Sequence, residues 1–298
     1  MPGYHLPYLG GAASGLFAQL GIDVDLADPD PGGPETILQV AAGDAEFCLT
    51  SVAHYVTARA QSPDLAARFV AVIGQRSPMS AIVRADSKIT KAADLAGLRL
   101  GGPTTGGISA LVKEYCAALV HLNLAPAVIE PMEYSDGPLA LARGEIDTIA
   151  DYIDLLPRLR REARIELRGV PFGMDVYGSG MVAADTVPLK RVNMMRAALV
   201  AALDQQRREP EAWLPILMER WPEHHPDDVI ESWALAAPNI FTDNPIGSMD
   251  ADCWQRTVTF FTDALDVPTI EPGSLYRPEL LEDRRRVADA APASTHSS

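Results

Sequence analysis

Hydrophobic residues follow two alternating patterns along the chain as far as about residue 180. Short apolar runs with β-branched residues, such as FCLTS at 47–51 and RFVAVIGQ at 68–75, are typical of buried strands. Apolar residues three to four positions apart, as in ISALVKEYCAALVHLNL at 108–124, are typical of amphipathic helices. Because predicted strands and helices alternate, the pattern indicates an α/β chain with mostly parallel, helix-covered sheets.

The alternation predicts two α/β units, joined by crossover strands near residues 78–84 and 174–182. The first unit is assigned residues 1–81 together with 179–285, and the second unit residues 82–178. Beyond the second crossover the sequence is strongly helical, and we expect these helices on the outside of the first unit.

The two ends of the chain differ from this alternation. The segment PGYHLPYLGGAASGLF at 2–17 is rich in Gly, Pro and aromatic residues, which predicts a loop followed by a short helix. Alternating polar and apolar residues at 22–28 then predict a strand. The tail at 286–298 is small and polar, and it is predicted to be disordered.

Composition excludes several classes of function. Among 298 residues, 40 Asp and Glu against 25 Lys and Arg give a net charge of −15, which argues against nucleic acid or an anionic membrane surface as partner. No apolar run reaches the length of about 18 residues that spans a bilayer. Three widely spaced cysteines indicate neither a disulfide framework nor a metal-binding pair, and no metal or cofactor is predicted. The cysteines are Cys48, Cys116 and Cys253.

Four stretches carry a resemblance to a known family: GLFAQLGIDVDLADP, ILQVAAGDAEFCLTSVAHYVTARA, SAIVRADSKITKAADLAGLRLGGPTTGG and ALARGEIDTIADY. Their order and spacing resemble the type II substrate-binding proteins of ABC importers, in the branch that includes nitrate, sulfonate, taurine and thiamine-pyrimidine proteins. The resemblance implies a two-lobed α/β fold with helix-covered mixed sheets. It also implies a solute held in the cleft, lobe closure on binding, a monomeric protein, and a permease and an ATPase as partners.

An enzyme on the same scaffold is the alternative. PGYHLPYLG and TSVAHYVTARA resemble the yeast-type synthase that makes the thiamine pyrimidine from its own histidine and pyridoxal phosphate, and His54 matches the donated histidine. However, Thr50 stands where that synthase has its Schiff-base lysine, and its cysteine-rich motif is replaced by VYGSGMVAAD. Aromatic sulfinate desulfinases use a cysteine in the first loop, which has none here. A cytoplasmic enzyme of the synthase, desulfinase or decarboxylase type that uses His54 remains the second hypothesis, and a soluble ligand sensor is the third.

The resemblance also bears on location. Family members have a short strand and a secretion signal before the Tyr-His loop, whereas residues 1–20 show no signal peptide. We expect either a start codon further upstream or the loss of an export signal. The expected location is extracytoplasmic in the first case and cytoplasmic for the sequence as written.

The glycine-rich turn GGPTTGG before a predicted helix is the first candidate contact with a ligand. Free backbone N–H groups and the positive helix end favour a polar or anionic ligand group, and nearby hydroxyls add donors. No Gly-Lys-Ser/Thr follows, so the turn is not a P-loop. The candidate residues are Thr104, Thr105, Gly106, Gly107 and Ser109.

The other candidates lie near predicted strand ends. Ser51 and His54 follow a strand at the edge where open α/β sheets bind ligands, although Ser51 also suits a helix N-cap and His54 a buried structural role. Aromatic faces and imidazoles in the first loop suit a planar heterocycle. Two aspartates and the tyrosines near them are candidate contacts for a cationic or N–H-rich ligand. The alternative is that they cap a helix or belong to a hinge. These further candidates are Tyr4, His5, Tyr8, Asp151, Tyr152, Asp175 and Tyr177.

Overall fold

The computed structural model describes residues 3–27, 33–103 and 109–281, and it is an α/β protein with two sheets. The strands are β1 Phe47–Ser51, β2 Ala67–Gly74, β3 Met79–Arg84, β4 Arg99–Gly102, β5 Val128–Pro131, β6 Thr148–Tyr152, β7 Leu167–Pro171 and β8 Ser179–Ala184. The helices are α1 Leu6–Ala13, α2 Leu16–Gln19, α3 Pro34–Ala42, α4 Val52–Gln61, α5 Ser109–His121, α6 Gly137–Arg143, α7 Leu156–Ala163, α8 Leu189–Arg208, α9 Leu214–Arg220, α10 Pro226–Ile240 and α11 Ala251–Leu265. None of the described helices is long and apolar enough to cross a membrane.

The first sheet has the strand order β1-β8-β2, and all of its pairs are antiparallel. Strand β8 comes from late in the chain and lies between β1 and β2, so that Ser51 faces Ser179 at one end of the ladder. The expectation of a mostly parallel arrangement is therefore wrong for this sheet. Local hydrophobic pattern does not reveal a distant strand that inserts between two early ones, because it contains no pairing information.

The second sheet is mixed, with the order β5-β4-β6-β3-β7. Strands β5, β4 and β6 are parallel, as expected for strands joined by helical crossovers. Strand β3 is antiparallel to both β6 and β7. The mixed, helix-covered α/β fold expected from the sequence is confirmed.

The chain passes between the two sheets twice, at residues 75–78 and at 172–178. The two crossings touch each other: the N–H of Gly178 donates a hydrogen bond of 2.8 Å to the carbonyl oxygen of Gly74. A Cβ atom at position 178 would lie 2.7 Å from the carbonyl oxygen of Arg76, so only glycine permits this approach. The predicted unit boundary at residue 81 lies within β3, whereas the boundary at 178 coincides with the start of β8.

Two predicted local elements differ from the structure. Residues 22–27 alternate between exposed and half-buried positions, as an extended segment does, but they belong to no strand. A strand needs a partner, and no described strand pairs with this segment. The predicted loop at the N-terminus is instead a 3₁₀ turn, Gly3–His5, followed directly by α1, whose first turn contains Pro7.

The C-terminal helices α8 to α11 cover the first sheet and reach the second unit. Helix α10 packs on the N-terminal turn, on residues 153–155 and on α7, and helix α11 packs on α5. Trp254 of α11 is fully buried among the rings of Phe69, Tyr177 and Tyr276. The predicted tail at 286–298 lies outside the described residues.

Candidate functional site

A cavity of about 280 Å³ lies where the two α/β units meet. One wall comes from the N-terminal turn, α1, the end of β1 and the first turn of α4. The opposite wall comes from residues 152–155, which follow β6 in the second unit. Both crossings contribute to the lining, through Pro78 and Gly178. The cavity is therefore bounded by both units and by both connections between them.

The N-terminal turn and α1 place three predicted residues, Tyr4, His5 and Tyr8, in the lining. Both phenol oxygens are buried, and the Tyr8 hydroxyl makes no hydrogen bond to the described residues. At Tyr4, the Asn239 side chain partly opposes the rise in pKa that burial causes. Burial raises the pKa of both tyrosines well above the usual value. His5 also lines the cavity, and loss of solvation by the surrounding protein lowers the pKa of its imidazole. These groups are neutral at pH 7.

The junction of β1 and α4 adds Thr50, Ser51 and His54 to the lining. Ser51 has an extended backbone, and its Oγ accepts a hydrogen bond of 3.2 Å from the N–H of His54, so it is the N-cap of α4. Burial lowers the pKa of the half-buried His54, and Glu35 opposes this shift. The N–H of Val52 donates a hydrogen bond of 2.9 Å to the carbonyl oxygen of Gly178. Ser51 thus combines the cap role and a place at the cavity.

The second unit contributes Tyr152 and Asp154. Burial raises the pKa of the Tyr152 phenol well above its usual value; the Glu114 carboxyl adds to this shift, and the Ser51 side chain opposes it. Asp154 is only 2% exposed, and its Oδ2 accepts a hydrogen bond of 2.9 Å from the N–H of Gly3. Burial raises the pKa of Asp154 to about 6, against the lowering effect of backbone N–H groups.

Asp154 is absent from the residues predicted from the sequence, although it lies only two positions after Tyr152. The available signal was the segment ADYID, in which the 3₁₀ turn Ile153–Leu155 follows β6 directly. That turn directs the chain along the cavity wall, whereas Asp151 inside the strand does not reach the lining. The end of the predicted strand points to Asp151 and Tyr152, whereas the contact with the cavity continues into the turn that follows the strand.

Three predicted residues lie elsewhere. Asp151 is buried beneath the wall, where its carboxylate accepts hydrogen bonds from the Tyr134 hydroxyl and, at 2.8 Å, from the N–H of Tyr152. Asp175 is exposed in the second crossing and forms an ion pair of 2.8 Å with Arg256. Tyr177 is fully buried beside Trp254 in the core. All three have structural partners that account for them.

The glycine-rich turn is not part of the described structure. Thr104, Thr105, Gly106 and Gly107 lie outside the described residues, and of Ser109 only its place at the start of α5 is described. The prediction that this turn contacts a ligand therefore stays a prediction.

The chemistry of the lining is aromatic and acidic. Among the described residues that form it there is no Lys, Arg or Cys, and the only carboxylate is that of Asp154. No group of three His, Cys, Asp or Glu suited to a metal ion occurs in the described parts of the chain. The arrangement can hold a planar molecule against tyrosine faces and can offer hydrogen-bond donors and acceptors from phenol, imidazole and carboxylate groups.

Several solved structures share this fold. The aliphatic sulphonate binding protein SsuA from Escherichia coli has a TM-score of 0.70 at 16% identity, over 91% of this chain and 88% of that chain. The alkanesulfonate-binding protein SsuA from Xanthomonas axonopodis pv. citri, bound to MOPS, has a TM-score of 0.62 at 16% identity, over 88% and 90%. A DszB mutant in complex with biphenyl-2-sulfinic acid has a TM-score of 0.60 at 16% identity, over 92% and 94%.

These similarities define the class of fold, which is that of the type II periplasmic substrate-binding proteins. The family described as NMT1/THI5 like matches residues 3–174, which is more than half of the chain. The chain therefore belongs to the NMT1/THI5-like family. A sequence comparison with curated proteins gives no match.

Proposed function

We propose that this protein binds a small polar or heterocyclic solute between its two α/β units, as the solute-binding component of an ABC importer. The observation that carries the proposal is the position of the cavity. It is bounded by the N-terminal turn and the β1–α4 junction on one side, and by residues 152–155 on the other. A solute in this position contacts both units at once.

Such contacts supply a binding mechanism without a covalent step. A ligand that touches Ser51 and His54 on one wall and Tyr152 on the other gains its full interaction energy only when the two walls are close together. Binding then shifts the population from open to closed arrangements. The two crossings at 75–78 and 172–178 are the segments about which the units would move.

The family and the fold favour binding over catalysis. The structural relatives from Escherichia coli and Xanthomonas axonopodis are named as sulfonate-binding proteins, the first of them periplasmic. A comparable role in an importer implies a permease and an ATPase as partners and an extracytoplasmic location for this protein. The Schiff-base and thiol chemistries of the enzymes with this scaffold require a lysine or a cysteine at the cavity, and no described lining residue is either. His54 without such a partner serves as a hydrogen-bonding group.

Native mass spectrometry of the purified protein tests the proposal. A retained small molecule, lost on denaturation and released unchanged, supports solute binding. Small-angle scattering of the stripped protein, with and without that molecule, should show compaction on binding. Release of a chemically altered molecule, or an unchanged radius of gyration at saturation, would contradict a binding protein that works by closure.

A further inference from the structure

Helix α5 holds the second-unit ends of both crossings through two adjacent residues. The Ser77 hydroxyl of the first crossing donates a hydrogen bond of 3.1 Å to Oε1 of Glu114. The ring of Phe172, at the start of the second crossing, packs edge-on against Tyr115, with 5.0 Å between the ring centroids. A rotation of one unit against the other therefore acts on the short segment of α5 that contains Glu114.

The first crossing is fixed to the first unit only two residues before Ser77. The Gln75 side chain donates a hydrogen bond of 3.1 Å to the carbonyl oxygen of Ser248. Arg76, which is exposed, is the single residue between these two fixed points. Rotation in this crossing is therefore concentrated directly beside the hydrogen bond between Ser77 and Glu114.

The Glu114 carboxyl is buried at the junction of the two units. It is 2% exposed, and α5 packs on strands of the second sheet and also on α11, one of the helices that cover the first sheet. Burial raises its pKa to about 8, and the Ser77 hydroxyl opposes this shift. A carboxylate charge in such a place is unfavourable unless water or a cation reaches it.

No cation of the described chain compensates this carboxyl. Its pKa is shifted by burial and by the Ser77 hydroxyl, and the adjacent Lys113 is exposed and donates to the carbonyl oxygen of Leu265 at 3.3 Å. The Glu114 carboxyl raises the pKa of the phenol of Tyr152, which is on β6 and lines the cavity. The other titratable groups that are not exposed, on α5, the two crossings, β3, β4, β6 and α11, are Arg84, Arg99, Tyr115, Cys116, Asp151, Tyr177 and Cys253.

We propose that Glu114 couples closure of the two units to proton uptake, so that the closed arrangement holds a protonated carboxyl and the ionised carboxylate favours the open arrangement. This inference rests on the proposed closure and adds its regulation by pH. Opening moves the first crossing and α11 relative to α5, and the water that enters stabilises the charge.

The direction of the pH dependence follows from the two arrangements. The carboxyl has a pKa of about 8 where it is buried, and opening moves this pKa toward the usual 4.5. The preference for closure therefore falls as the pH rises across this interval and changes no further above it. Binding of a solute that closes the units takes up a proton in the same interval, and a rise in pH releases the solute.

The test compares the parent protein with Glu114→Gln, because glutamine keeps the size of the side chain and an acceptor for Ser77 but does not ionise. The full chain is stripped and titrated by calorimetry, at pH 6, 7 and 8, with the small molecule that it retains on purification. We expect the affinity of the parent protein to fall relative to that of the variant by about tenfold between pH 6 and 8; the linkage limit is about tenfold per pH unit. Ionisation of the solute and of His54 and Asp154 is common to both proteins, so the ratio of affinities isolates Glu114.

Protons taken up on binding are counted from titrations at pH 7 in phosphate and in Tris, whose enthalpies of ionisation differ. The parent protein should take up more protons than Glu114→Gln, by up to about one. Glu219→Gln, at an exposed position of α9, is the charge control and should behave as the parent protein does. A ratio of affinities that stays constant from pH 6 to 8 would overturn the coupling. Solute binding is judged separately, by the affinity at pH 6 alone.

Two further measurements keep the test decisive. If Glu114→Gln does not fold, Ser77→Ala replaces it: loss of the hydroxyl that lowers the pKa of Glu114 should move the fall in affinity to higher pH. Ser80→Ala, which removes a buried hydroxyl of β3 bonded to the carbonyl oxygen of Pro78, should not move it. If the protein retains no small molecule, small-angle scattering of the stripped chain at pH 6 and 8.5 decides. A parent radius that exceeds that of Glu114→Gln only at pH 8.5 supports the coupling, and equal radii at both values overturn it.

Discussion

The backbone N–H of Gly3 donates a hydrogen bond of 2.9 Å to Oδ2 of Asp154, across 151 positions of sequence. This contact joins the N-terminal turn of one wall to the 3₁₀ turn of the opposite wall. The turn is also pressed against α10, because a Cβ atom at position 3 would lie 2.3 Å from the carbonyl oxygen of Ser232. The position of the N-terminal turn, which contributes Tyr4 and His5 to the cavity, therefore depends on a residue without a side chain.

Gly3→Ala should accordingly destabilise the protein and weaken binding. The added methyl group meets helix backbone, which cannot move aside as a flexible side chain does, and overpacking of this kind costs about 1–3 kcal/mol. Denaturant unfolding and calorimetric titration with the small molecule that the protein retains measure the two effects. Gly43→Asn is the control, because Gly43 has a left-handed φ of +90° in open space at the end of α3, and asparagine tolerates such a conformation. Equal losses in both variants would contradict the close-packing argument.

Glu114 should make the stability of the protein depend on pH. This carboxyl is buried in α5, it accepts a hydrogen bond of 3.1 Å from the Ser77 hydroxyl, and burial raises its pKa from 4.5 to about 8. The folded state therefore binds the proton more tightly than the unfolded state does. The stabilisation from the protonated carboxyl is fully present below pH 4.5 and is lost as the pH rises through 8.

Glu114→Gln should remove this loss, so that the variant exceeds the parent protein in unfolding free energy at pH 8 by about 2–4 kcal/mol. At pH 5 the two proteins should differ little. Urea unfolding of both proteins at pH 6, 7 and 8 isolates Glu114, because Asp151 and Asp154, whose pKa burial raises to about 6, contribute equally to the parent and the variant. Glu219→Gln, at an exposed position of α9, is the control. Parallel stability curves for both variants would show that Glu114 does not ionise across this range.

Ser51 should show two separable effects. Its hydroxyl caps α4 and also lines the cavity, whereas Asp250 caps α11 through a hydrogen bond of 2.9 Å from the N–H of Cys253 and lies outside the lining. Ser51→Ala and Asp250→Ala should each lower stability by about 1 kcal/mol, the usual effect of losing an N-cap. Only Ser51→Ala should also weaken ligand binding in calorimetry. Unchanged affinity of the Ser51→Ala variant would show that Ser51 acts only as the N-cap of α4.

Two ion pairs between α7 and α10 should favour the closed arrangement. Arg160 pairs with Glu231, and Arg161 pairs with Asp228 at 2.7 Å. Each pair is partly exposed and is worth about 0–1 kcal/mol, so together they shift an open–closed population about thirtyfold at most. The double variant Asp228→Asn/Glu231→Gln should enlarge the unliganded radius of gyration and weaken binding severalfold, with a small change in melting temperature.

The control for this prediction is Glu145→Gln, which breaks the exposed pair of 2.6 Å between Arg143 and Glu145 inside the second unit. This pair joins no elements across the cavity, so the radius should not change. Concentrated salt should reproduce the effect of the double variant on the parent protein, because it screens partly exposed charges. A radius that responds to neither treatment would show that the two ion pairs do not hold the units together.

Much of the fold could be predicted from the sequence because it depends on local periodicity. The apolar runs at 47–51 and 68–75 are β1 and most of β2, and the amphipathic segment at 108–124 contains α5. Such patterns indicate which face of a helix or strand is buried, and the folded protein buries that face. The strand predicted at 22–28 shows the limit, because its alternation is present but no partner strand pairs with it.

The tertiary structure alone decided which strands pair and which polar groups meet. The insertion of β8 between β1 and β2 brings Ser179 opposite Ser51, a contact between residues far apart in sequence. The same long-range packing assigns different roles to Asp151 and Asp154, since the first is hydrogen-bonded beneath the wall and the second lines the cavity and accepts the N–H of Gly3. A residue's type and its neighbours along the chain determine what it can donate or accept. Only the folded chain determines which partners come within about 3 Å of it.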